Sequence, residues 1–272
     1  AIVRNADDAK IQAAGYDALR QLSEIEPDEF ITAIPDCGVV ETILKTFEVH
    51  RNDARTMGAA CNLLKGCAES VQTSVKLYEQ GAGKTVLEAV KKHQDNQELC
   101  FDGLMLLRKL VKHVGPEAKL MAVEGGVVET LVQLSRKPGW IRYGGDRSKS
   151  LRFMLLLADG SESVQRRLIE AGGVEVLVTT ISQQLEDNFN IDSFPACGCK
   201  LLGVLATSDD RLSERFRQEK GIDVLVLTIN MAKDPAAQKA ACKALLRLSC
   251  RNLKNHHAIR ALGGIEAIVK AM

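Results

Sequence analysis

The stretch Gly81-Ala82-Gly83-Lys84-Thr85 carries the residue types that end a phosphate-binding loop, so nucleotide binding is the first chemistry to weigh. Such a loop reads G-x-x-x-x-G-K-[ST] between a strand and a helix. Its backbone N–H groups cradle the phosphates and its Lys reaches the terminal ones. Five residues before Gly83 stands Tyr78, not Gly. The approach, SVQTSVKLYEQ, sets Val71, Val75 and Tyr78 at helical rather than alternating spacing. Both departures argue against a nucleotide loop, which is kept as the alternative reading of Lys84 and Thr85.

Two further clusters invite a metal or redox reading. Cys197 and Cys199 stand two apart, and on a helix positions i and i+2 point to different sides, so small buried side chains are expected there instead. His256 and His257 have no Cys, Asp or Glu at ligand spacing, whereas a zinc site needs about four ligands. His50, His93 and His113 each fall at the end of a helical pattern, where a cationic side chain suits the helix dipole. Neither G-x-S-x-G nor H-E-x-x-H occurs. The residues imply no enzyme, no cofactor and no metal.

The chain has 272 residues, 46% of them apolar and 26% charged, with a net charge of +1, so nothing global calls for nucleic acid or an anionic membrane. Aromatics at 4% are few for base stacking and few for a β-sandwich. Abundant Ala, Leu, Lys and Glu favour helices. Eight cysteines are scattered among apolar helical positions, the pattern of reduced, buried thiols. With no membrane-length apolar run, a cytoplasmic (or nuclear) location is expected. Any targeting or lipid signal on a longer precursor would not be visible.

What must position these residues is a repeat. VETILKTF from Val40, KTVLEAVK from Lys84, VETLVQLS from Val128, VEVLVTTI from Val174, IDVLVLTI from Ile222 and IEAIVKAM from Ile265 recur 43 to 48 residues apart. Glycine turns precede most of them, as in EGGV, EAGG and ALGG, and Gly83 is read as the turn of the second unit. A longer amphipathic helix follows each full copy, such as DARTMGAACNLLKGCAE or AAQKAACKALLRLSC, and a short helix leads to the next turn. Insertions at 135–149 and 182–195 stretch two of the spacings. Ala1-Ile2-Val3-Arg4 superposes on Ala267-Ile268-Val269-Lys270, so both ends read as uncapped: a fragment, or ends that pair with something.

This short–medium–long unit resembles the armadillo repeat over essentially all of 1–272. The resemblance implies an all-α, right-handed α-solenoid: one array of about six units whose long helices line a concave face that binds partners. Aligning the ALxxL-like core puts Gln21, Lys65, Lys109, Leu156, Val204 and Arg247 where importin-α and β-catenin carry a peptide-gripping Asn. Asp17, Cys61, Met105, Arg152, Lys200 and Lys243 lie one turn earlier. The Asn ladder is absent, so an import receptor is not implied.

Six of those positions are basic and one is acidic, which predicts a positive groove for an acidic or amphipathic protein segment. The expected contacts are Gln21, Lys65, Lys109, Arg152, Lys200, Lys243 and Arg247, with Trp140, Arg142 and Tyr143 as a second patch; packing onto neighbouring helices is the alternative for these aromatics. No small-molecule substrate is expected, and nucleic acid ranks below protein. A structural role through the uncapped ends is the other alternative.

Overall fold

The computed structural model describes residues 5, 7–25, 38–137, 140, 148–186, 194–206, 209–250 and 252–272. The described residues form helices and turns, with no strand among them. The chain divides into two compact units, Ala1–Val127 and Val128–Met272.

The first unit holds α1 (Ala9–Ile25), α2 (Val39–Val49), α3 (Ala54–Cys67), α4 (Val71–Glu79), α5 (Ala82–Lys92), α6 (Gln97–Val114) and α7 (Pro116–Glu124). The second holds α8 (Val127–Ser135), α9 (Lys149–Ala158), α10 (Glu162–Glu170), α11 (Gly173–Glu186), α12 (Phe194–Val204), α13 (Asp210–Gln218), α14 (Gly221–Met231), α15 (Pro235–Ser249), α16 (Leu253–Ala261) and α17 (Gly264–Ala271).

Within each unit, like packs on like. The long helices α1, α3 and α6 stack in the first unit, and α9, α12 and α15 in the second. Second helices stack likewise, α2 on α5, and α11 on α14 on α17. The apolar stripe of each long helix fills the space between. In α6, Leu99, Leu104, Leu106, Leu107 and Leu110 are fully buried, each contributing about 1.5–3 kcal/mol by leaving water. Side-chain caps start these helices where the sequence changes from turn to stripe. Asp53 accepts from the Arg55 N–H, Asn96 from Leu99 and Asp234 from Ala236.

The turn before each second helix sits at a fixed column. Gly38, Gly81, Gly126, Gly172 and Gly263 have φ between 73° and 89°, and Lys220 holds the same place with φ 61°. Glycine suits this left-handed corner because it has no Cβ to meet the following carbonyl.

This column corrects the expected register of the second repeat. The turn is Gly81, and Gly83 already lies buried in the first turn of α5. Two residues past the turn stand Val40, Gly83, Val128, Val174, Ile222 and Ile265, so Gly83, not Lys84, occupies the apolar column. The hydroxyls agree: Thr42 donates to the Gly38 carbonyl (3.0 Å) and Thr85 to that of Gly81 (3.3 Å). A Cβ on Gly83 would lie 2.5 Å from Met121 Cε and 3.3 Å from Leu110 Cδ1, so those side chains fill the space that a valine fills elsewhere. Lys84 falls in the first-turn column of Glu41, Glu129, Glu175, Asp223 and Glu266, where a carboxylate suits the dipole and a cation does not.

Candidate partner-binding face

The basic residues expected on the long helices divide into two kinds. In the first unit they are neutralised in place. Lys65 Nζ on α3 donates to Asp102 Oδ1 on α6 at 2.5 Å, and the Asp102 side chain is only 7% exposed. Lys109 on α6 pairs with Glu69 and donates to the Lys65 carbonyl at 2.7 Å. Burial holds the Lys109 ammonium below its usual pKa, against the pull of Glu69. Cys61, one turn before Lys65, is fully buried; burial first and the Asp102 carboxylate second push its thiol well above the ordinary range. Gln21 lies exposed on α1. On this face of the first unit Lys65 and Lys109 thus already have partners.

The second unit differs. Between α9, α12 and α15 lies a groove of about 520 Å³ whose rim carries Lys200, Lys239, Lys243 and Arg247, with Asp159 as its one acid. The four cations are exposed. None makes an ion pair or hydrogen bond through its side chain to another described residue. Lys239, Lys243 and Arg247 follow one another at four-residue spacing and share one face of α15. Like charges so placed repel, by about 0.2–0.5 kcal/mol per pair. The floor is apolar, built from Leu155, Val204, Ala240 and Ala244. Close helix contact shapes it: a Cβ on Gly203 of α12 would lie 3.1 Å from both Cα and Cβ of Ala244 on α15.

The structure thus brings Lys200, Lys243 and Arg247 together as the alignment implies, and adds Lys239. That residue is one helical turn before Lys243, so the spacing in AAQKAACKALLR carried the signal. Arg152 is exposed on α9 and engaged with other groups, and it does not line this groove. Nothing in the sequence marked Asp102 as the partner of Lys65, since the two are 37 residues apart.

Trp140 is 2% exposed, which removes its side chain from any surface patch. Arg142 and Tyr143 lie outside the described residues. Cys197 and Cys199 are buried, and burial pushes the Cys199 thiol up to about 12. His50 and His93 cap the C-termini of α2 and α5. His113, in the last turn of α6, departs from the expected cation: burial first, then Lys112 and Lys109, lower its pKa. Among the described residues no cluster of His, Cys, Asp and Glu could hold a metal, and no helix is long and apolar enough to cross a membrane.

With this geometry in hand, the fold has clear counterparts. A crystal structure of an engineered protein matches with TM-score 0.73 and 26% identity, over 97% of this chain and 60% of that one. A second engineered protein matches at TM-score 0.67 and 22% identity, over 89% and 91% of the two chains. A designed armadillo repeat protein in complex with the peptide (KR)4 matches at TM-score 0.63 and 20% identity, over 86% of this chain and 92% of that one. This chain spans 60% of the length of the first of these. No protein-family model matches it, and no curated protein does. The chain is an all-α repeat protein of the solenoid class. Its repeats share the fold of the designed armadillo repeat protein.

Proposed function

We propose that this chain is a non-catalytic interaction module that holds an acidic segment of a protein partner on the long-helix face of its second unit. One observation carries the reading: Lys200, Lys239, Lys243 and Arg247 stand exposed and without ionic partners among the described residues, around an apolar floor. Four cations held together at a cost in mutual repulsion favour an anionic ligand, and the Arg guanidinium offers bidentate contact to a carboxylate. The floor gives room for aliphatic side chains between the acids. A structural neighbour, the designed armadillo repeat protein, is complexed with the oppositely charged peptide (KR)4, which supports a peptide segment as the class of ligand. Lys65 and Lys109, already paired, contribute less.

Fluorescence anisotropy with a labelled (DE)4 peptide, against (KR)4 as the charge-reversed control, tests the reading. Saturable binding of (DE)4 that weakens about tenfold or more in Lys243→Glu/Arg247→Glu is expected. Equal binding of both peptides, or (DE)4 affinity unchanged in the double variant, would remove the groove from consideration.

A further inference from the structure

The groove of the second unit has a counterpart in the first that is already filled. Long helix α3 packs on α6 there, as α12 packs on α15 in the second unit. Asp102 stands seven residues before Lys109 and Ala240 seven before Arg247, so the two share a column of the long-helix alignment. The Asp102 side chain is 7% exposed and accepts from Lys65 Nζ on the preceding long helix at 2.5 Å. Its charge also reaches Cys61, whose thiol it pushes up after burial has done so. The positions on α12 that answer to Cys61 and Lys65 are Lys200 and Val204, and both line the groove beside Ala240.

The second unit therefore keeps the seat and lacks the carboxylate. Ala240 presents a methyl group where α6 presents an acid, and Lys200 brings an ammonium one turn earlier than Lys65 does. Lys243, three residues after Ala240, is its neighbour on the surface of α15. Neither lysine has an ionic partner among the described residues.

We propose that one carboxylate of the partner segment seats over Ala240, between Lys200 and Lys243, in the place that Asp102 fills in the first unit. The proposal rests on the reading of this groove as a site for an acidic segment, and it names the group that anchors that segment. Recognition centres on a single seated acid whose aliphatic neighbours lie on Leu155, Val204 and Ala244, rather than on charge spread along the rim. Against that apolar floor a charge-assisted hydrogen bond from an ammonium is stronger than on an open rim.

Ala240→Asn and Ala240→Asp fill the seat with a side-chain shape that α6 already accommodates at Asp102. Ala240→Asn alters no charge, so attraction to the rim alone predicts the parent's affinity for (DE)4. A seated carboxylate predicts a loss of about tenfold or more by fluorescence anisotropy. Ala240→Asp supplies the carboxylate from the chain itself. It should bind (DE)4 no better than Ala240→Asn and melt at a higher temperature, and Lys200→Met should abolish that difference in melting. At exposed positions that leave the fold intact, Lys200→Met should weaken (DE)4 binding more than Lys239→Met, because Lys239 lies on a different side of α15 from Ala240. Parent-like affinity in Ala240→Asn, equal melting of the two Ala240 variants, or equal losses for Lys200→Met and Lys239→Met would each overturn the proposal. Binding that is lost in Lys243→Glu/Arg247→Glu but kept in Ala240→Asn leaves the groove standing and removes the seat, whereas a parent that does not bind (DE)4 removes both.

Discussion

Lys65 Nζ lies 2.5 Å from Asp102 Oδ1, joining the long helices α3 and α6 through a carboxylate that is almost wholly out of water. Removing the ammonium alone leaves that charge buried and unpaired, which costs far more than the pair itself contributes. Lys65→Met should lower unfolding free energy by about 2–3 kcal/mol, reduced from the fully buried case because Lys65 keeps some solvent contact. Lys65→Met/Asp102→Leu should recover most of the loss. Urea denaturation of the two variants checks both halves, and equal stability for the two would refute the pairing argument.

Lys243 lies four residues from both Lys239 and Arg247, so function and stability pull against each other there. Lys243→Glu replaces two repulsive i, i+4 pairs by two attractive ones. The unliganded protein should gain up to about 1 kcal/mol at low salt, with the gain shrinking as salt rises. The same variant should bind (DE)4 more weakly. Thermal melts at two ionic strengths, paired with anisotropy, read the two effects; a variant that loses both stability and binding would point to damaged packing instead.

The repeat and its helices were legible because period, turn glycines and apolar stripes agree at every level, which is what specifies a fold. The register of the second repeat was not, because Gly81 and Gly83 are both glycines and the first turn of α5 carries Lys84 where other repeats carry an acid. Only the φ of Gly81 distinguishes them. The groove was half legible. Lys200, Lys243 and Arg247 follow from the long-helix alignment, but alignment cannot say which lysine already has a partner. Lys65 and Lys109 look like Lys200 and Lys243 in the sequence, and differ because Asp102 and Glu69 reach them across the stack. Trp140 shows the same limit: an aromatic in an insertion reads as surface or core alike until its neighbours are placed.

Lys220 holds a backbone conformation that the other five repeats give to glycine. A side chain in that region costs about 1 kcal/mol, and no hydrogen bond from the Lys220 side chain to a described residue offsets it. Lys220→Gly should raise stability by up to about 0.5 kcal/mol, the strain relief less the entropy glycine loses on folding. Gly81→Ala, where a Cβ meets open space and only the φ is unsuitable, should cost a similar amount. Denaturation midpoints of both variants measure the pair, and a loss of stability in Lys220→Gly would contradict it.

Gly81 is the turn between α4 and α5, so residues 82–85 already belong to α5, the element before them is a helix rather than a strand, and Thr85 Oγ is already bonded to the Gly81 carbonyl. A nucleotide at a hundred times its dissociation constant would add about 2.7 kcal/mol to stability. Millimolar Mg–ATP or Mg–GTP should therefore leave the melting temperature where it is. A rise abolished by Lys84→Ala would restore the nucleotide reading.

His113 Nδ1 lies 2.9 Å from Ser74 Oγ, tying the end of α6 to α4. Burial, followed by the nearby charges of Lys112 and Lys109, lowers its pKa from the usual 6.5, while Glu69 pulls the other way. The unfolded chain therefore takes up a proton first as pH falls. Above about 6.5 the imidazole is neutral in both states and its contribution is fully present. As pH falls below that value the unfolded state is increasingly favoured, and the contribution is lost by the time pH has passed the lowered folded pKa. Melting temperature should thus decline on acidification from neutral, and His113→Gln should flatten that part of the profile without changing its course above pH 7. An unchanged acid limb in His113→Gln would assign the decline to other groups.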